Sequence, residues 1–95
     1  MSAHAMAWAI GQRIVKDARA RCILLCIASY ADKIGRSSPL SVKTLSADTG
    51  LSERTVRCKL DALKGLGVLR RDGSDISLAD PNSKRIVQST KFFWG

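Results

Sequence analysis

Apolar positions recur along this chain first at helical spacing and later at the spacing of strands. Ile23, Ile27, Tyr30 and Ile34 fall at i, i+4, i+7 and i+11, with Ala20, Leu24 and Ala31 widening the stripe. That pattern predicts an amphipathic helix opened by Asp17, running to about Ile34 and stopped by Gly35. Before it, Ala5 to Val15 reads as a shorter helix offering Met6, Trp8 and Ile10 for packing and weakened by Gly11. Leu25 and Ala28 lie nearly opposite the main stripe, where a surface helix is normally polar. Either the N-terminal helix or the tail covers them, the ordinary fate of a modest apolar patch, or a protein partner does.

The middle of the chain is punctuated more sharply. Residues Arg36 to Ser41 form a turn with a few extended residues, and Ser41 is placed to cap a short helix whose inner face is Val42 and Leu45 and whose end is Thr49. Gly50 suits the left-handed turn that follows, Leu51 plugs inward, and Ser52 caps a further helix with Glu53 at its positive end. In that helix, Ser52 to Leu66, the inner face is Val56, Leu60 and Leu63, and Gly67 ends it. The outer face carries Arg54, Cys58 and Asp61, with Arg57 at its border. Val68 to Arg71 then reads as a strand, Asp72-Gly73-Ser74-Asp75 as a tight turn and Ile76 to Ala79 as the returning strand, stopped by Pro81. The pattern defines a mainly α fold with a small β hairpin, a winged helix-turn-helix occupying residues 1–80. Residues 81–95 are left as a tail, basic from Asn82 onward with no acidic residue, that ends on Phe92, Phe93 and Trp94.

Composition changes this picture in one respect. Sixteen Lys and Arg against eight Asp and Glu give a formal charge of +8 on 95 residues, a surplus that favours a polyanionic partner. No apolar run is long enough to span a bilayer and the N-terminus lacks a signal-peptide pattern, so the expected location is the cytoplasm, on the nucleoid, with no membrane partner. Cys22, Cys26 and Cys58 include no CxxC pair. With His4 as the lone imidazole they make a poor zinc site, and the expectation is reduced, small, buried side chains, with no metal and no cofactor. One histidine, one glutamate and no phosphate-binding glycine loop leave little for catalysis, so no enzyme is expected.

Two short helices joined by a glycine turn and followed by a hairpin let the first helix brace the second while the second projects outward. The N-terminal half of a projecting helix reaches base edges in the major groove. Arg54 is the first candidate for a guanine, because its guanidinium fork matches two acceptors there; Arg57 either does the same or binds phosphate, and Cys58 is a further reader on the outer face. Ser41, Lys43, Ser52, Thr55 and Lys59 stand at helix starts and flanks where phosphate contacts are expected. Arg70 and Arg71 lead into the hairpin tip, where a wing meets the backbone or minor groove. Simpler roles stand beside these: a serine before a helix is a cap, and an exposed arginine is often only solvated.

Ala7-Trp8-Ala9, Leu24 to Asp32 and above all Pro39 to Leu69 (PLSVKTLSADTGLSERTVRCKLDALKGLGVL) resemble the helix-turn-helix domain of phage and plasmid replication-initiation proteins and of related small prophage regulators. In the last block Ser41, Leu45, Gly50, Leu51-Ser52, Arg54-Thr55-Val56, Leu60, Leu63 and Gly67 stand at that family's spacing. The resemblance covers about two-thirds of the chain and implies double-stranded DNA binding in transcription, replication or recombination of a bacterium, phage or mobile element. The large downstream region of the replication initiators is absent from it, and so is the tail. A winged-helix protein-docking module without DNA readout is the alternative function. Self-association through the N-terminal helices or through Phe92, Phe93 and Trp94 is a further expectation.

Overall fold

The computed structural model describes residues 4–32, 40–72, 75–83 and 85–93. Four helices and a small sheet follow in the order α1 (His4–Ile10), α2 (Ala18–Asp32), β1 (Leu40–Ser41), α3 (Val42–Thr49), α4 (Glu53–Leu66), β2 (Leu69–Asp72), β3 (Asp75–Ala79) and β4 (Ile86–Phe93). The fold is a winged helix-turn-helix. Ile34 and Gly35, the turn at 36–39, the hairpin tip at 73–74 and Trp94 lie outside the described residues.

The stripe on α2 is the floor of the core. Ala20, Ile23, Leu24, Ile27 and Ala31 are buried and Tyr30 is half-buried against them. Ala28 is also buried and Leu25 is partly so, because α1 packs on one side of α2 and β4 on another. Internal cover therefore accounts for the second apolar face. Asp17 opens α2 as expected: its carboxylate accepts the Arg19 N–H at 3.3 Å and its carbonyl accepts the Arg21 N–H at 2.9 Å.

The connection from α1 to α2 is held by a side chain with no periodic signature. The Arg21 guanidinium donates to the carbonyls of Ile10 (2.9 Å), Gln12 (2.9 Å) and Val15 (3.2 Å). The last carbonyls of a helix have no partner within it, and here one arginine satisfies that of Ile10 together with two carbonyls of the linker, tying the linker to α2. In α1 Trp8 packs partly against the core as expected, whereas Ile10 is 57% exposed and Ala9 is buried in its place. The cysteines also depart from expectation. Cys22 and Cys58 are exposed and only Cys26 is half-buried. Cys22 directly precedes the buried stripe residue Ile23, and a one-residue step turns a helical side chain by about 100°, away from the core.

The largest correction concerns residues 86–93. Read from the sequence as tail, they form β4, antiparallel to β3 and, at Phe92 and Phe93, parallel to Leu40 and Ser41 of β1. The sheet order is β1-β4-β3-β2, so β4 is an interior strand. On the helix-facing side of the sheet Leu69, Ile76, Leu78, Leu40 and Phe92 are all buried. The pairing is irregular where Ala79 meets Ile86, which leaves Val87 partly buried against the core. Of the two terminal phenylalanines, Phe92 is 3% exposed and Phe93 is 64% exposed.

Phe92→Ala is therefore expected to cost about 3 kcal/mol of unfolding free energy. Phe93→Ala should stay within about 0.5 kcal/mol of the parent. Urea denaturation of both variants checks this, and equal losses would contradict the placement of β4.

Candidate nucleic-acid interface

The projecting helix is positioned from its two ends and from beneath. Ser41 is extended and its hydroxyl accepts the Thr44 N–H at 3.2 Å, which starts α3. Gly50, at φ 76, ends α3 in the left-handed region that a side chain disfavours. Inside the turn the Ser46 hydroxyl donates to the Leu51 carbonyl at 2.6 Å, and Leu51 packs partly against the core. Ser52 then caps α4 by accepting the Thr55 N–H at 3.2 Å, and its hydroxyl donates to the Thr55 hydroxyl at 2.9 Å. Glu53 in the first turn adds a favourable charge at the positive end of α4, and Gly67, at φ 85, closes the helix. Beneath, Val56, Leu60 and Leu63 are at most 4% exposed and dock on α2 and α3.

With that face fixed, geometry decides what faces outward. Arg54, Arg57, Cys58 and Asp61 are all exposed on α4. They are the residues that the outer stripe predicted, and they lie on the first two to three turns. Arg57, Asp61 and Lys64 border a shallow groove whose other wall is Val42, at the start of α3. The Asp61 carboxylate pairs with Lys64 at 3.4 Å, one turn along, so the distal half of this surface carries an ion pair rather than a run of positive charge. Lys43 is exposed on the first turn of α3, and Arg70 and Arg71 are exposed on β2.

The phosphate-contact candidates divide into two groups. The hydroxyls of Ser41, Ser52 and Thr55 are engaged in the caps just described, so their first role is to set the directions of α3 and α4. Lys59 has a different engagement from the one expected. Its ammonium lies 2.6 Å from the Asp17 carboxylate, and its side chain is only 23% exposed. The physical reason is its neighbourhood: Lys59 directly precedes buried Leu60, and α4 packs against α2, whose first residue follows Asp17. The hydrogen bond from Lys59 holds the Asp17 carboxyl below the ordinary aspartate value of 3.8, partial burial opposing it and the Arg19 N–H assisting. One carboxylate thus caps α2 and ties α4 down. Sequence reasoning found the cap and missed the tie, since nothing in the spacing joins positions 17 and 59. It also missed the Tyr30 hydroxyl donating to the Asp48 carboxylate at 2.6 Å, which joins α2 to α3.

Among the described residues no group of three His, Cys, Asp or Glu is arranged to hold a metal ion, and no helix is long and apolar enough to cross a membrane.

A family model described as a helix-turn-helix domain matches residues 18–69, more than half of the chain. The protein belongs to this helix-turn-helix domain family. The match runs from the first residue of α2 to the first residue of β2, so the three helices and the turns between them are what the family shares. No curated protein and no solved structure gives a match.

The Asp17–Lys59 pair has a pH signature. A carboxyl whose folded pKa is depressed stabilises the fold above its unfolded pKa, and that contribution is lost as pH falls through the folded value. Asp17→Asn keeps a capping side chain but removes the charge. The variant is expected to melt below the parent at neutral pH and to converge with it in acid, below pH 3.8. Thermal melts across that range check this, and a gap that stayed constant into acid would contradict the ion pair.

Proposed function

We propose that this protein binds double-stranded DNA in a sequence-specific manner, with α4 in the major groove. In this reading it is a small regulator or accessory factor of a bacterium, phage or mobile element, acting in transcription, replication or recombination. The observation that carries the reading is the division of α4 into two faces: Val56, Leu60 and Leu63 buried, Arg54, Arg57 and Cys58 exposed, on a chain of formal charge +8. Membership of a helix-turn-helix family and the resemblance of Pro39 to Leu69 to replication initiators and prophage regulators support it.

The roles follow from chemistry and position. Arg54, in the first turn, presents a planar fork to the two acceptors of a guanine. Arg57, beside the start of α3, reads a neighbouring base or binds the backbone. Cys58, one turn beyond Arg54, offers a small, weakly polar surface. Asp61 limits the reading to the N-terminal half of the helix, because a carboxylate repels the phosphates on either side of the groove. Lys43 on α3, with Arg70 and Arg71 on the wing, supplies backbone contacts that orient the helix without reading sequence. Ser41, Ser52 and Thr55 serve the interface by fixing helix starts, with backbone N–H groups of the first turns available to phosphate oxygens. Lys59 acts through Asp17, holding α4 against α2.

Arg54→Ala is expected to relax preference among duplexes, with about 1–3 kcal/mol lost at one base position. Selection from a randomised duplex pool, repeated with the variant, reads that change directly. Affinity for duplex should also fall steeply with salt, because each phosphate neutralised releases counterions. An affinity that barely moved between low and moderate salt would favour a protein-docking role instead.

A further inference from the structure

The end of β4 lies beside the helix-turn-helix. Its parallel pairing puts Phe93 next to Ser41, the cap of α3, and its antiparallel pairing puts Lys91 opposite Asp75 at the mouth of the β2–β3 hairpin. Two residues apart on one strand, Lys91 and Phe93 leave the sheet on the same face. That is the face opposite the core, to which Phe92 is committed. Both side chains are exposed, and Phe93, at 64%, is the most exposed of the described large apolar residues. Arg70 shares the face: its neighbour across β3 is Ser77, whose neighbour on β4 is Ser89, one alternation from Lys91.

Phe93 adjoins the start of α3, which in turn borders α4. Val42 follows Ser41 and lines one groove with Arg57 and Lys64. The exposed phenyl ring therefore stands beside the start of α3, whose first turn carries exposed Lys43, with Arg57 across the groove that Val42 lines. An apolar ring beside a cation matches the sugar–phosphate wall of a nucleic-acid groove, where apolar deoxyribose faces alternate with anionic oxygens. A polyanion suits it better than a second copy of this chain, since two +8 chains repel each other overall even though Asp75 shares the face with Lys91.

We propose that the end of β4 is a second DNA contact, with Lys91 on a phosphate and the Phe93 ring against the adjoining sugar, where the backbone passes the start of α3. The inference rests on the reading of α4 as the major-groove helix and extends the interface to residues outside the family match. These contacts are indifferent to sequence. They add affinity and fix the angle at which α4 enters the groove.

The test uses the full chain with Lys91→Gln and Phe93→Ser, titrated against mixed-sequence duplex over a range of salt, with Arg54→Ala in parallel. Lys91→Gln should weaken binding to all sequences roughly tenfold and lower the salt slope by about one. Phe93→Ser should weaken binding with the slope unchanged, and both variants should melt with the parent. Unaltered affinity and slope in both, while Arg54→Ala still relaxes preference, would overturn this inference and leave the α4 reading intact. A Phe93→Ser variant that changed sedimentation but not DNA binding would overturn it in favour of a second copy. A parent chain that did not bind duplex would remove the α4 reading, and this inference with it.

Discussion

The architecture turns on the burial of one stripe of α4. Val56, Leu60 and Leu63 are sealed against α2 and α3, and that packing leaves the opposite face of the helix to water. Fully burying an aliphatic side chain of this size is worth about 1.5–3 kcal/mol, so rotating α4 to expose the stripe would forfeit a large part of a small domain's stability. The outward direction of Arg54, Arg57 and Cys58 is thus a consequence of the core, not of any contact they make themselves. The caps at Ser41 and Ser52, the left-handed Gly50 and the Asp17–Lys59 pair then fix the helix along its axis.

A division of labour follows. The core and its ties hold α4 rigid, so that its first turns can be presented without being ordered on binding, which keeps the entropic cost of recognition low. The sheet contributes differently. Because β4 runs through its interior and reaches β1, the wing, the C-terminal strand and the start of α3 are parts of one hydrogen-bonded unit. A load on the wing is therefore transmitted to the helix-turn-helix through backbone pairing as well as through side-chain packing.

The helices α2, α3 and α4 were legible because each carries a repeated signal, whereas α1, read to Val15, ends at Ile10. The α2 stripe, the α3 and α4 caps and the two left-handed glycines repeat or punctuate, and all reappear within a residue or two of where the pattern placed them. The strand β4 was hidden for a physical reason. Along Ile86 to Phe93 one side chain, Phe92, is fully buried, an irregularity at Ala79–Ile86 breaks the alternation, and Lys91 and its basic surroundings read as solvated tail. Its β-branched and aromatic content (Ile86, Val87, Thr90, Phe92, Phe93) was the available clue. Arg21 and Lys59 illustrate a different limit. A charged residue looks the same in sequence whether it faces solvent or reaches a carbonyl or carboxylate far along the chain. The outer face of α4 was legible, and the tie from Lys59 to Asp17 needed coordinates.

The chain carries its own reporter for its central claim. Cys58 is exposed on the outer face of α4 and Cys22 is exposed on α2, so both thiols are open to alkylation in the free protein. With saturating duplex DNA, peptide mapping of maleimide labelling should show Cys58 strongly slowed while Cys22 keeps its rate. Equal labelling of Cys58 with and without bound DNA would contradict the docking of α4 in the groove.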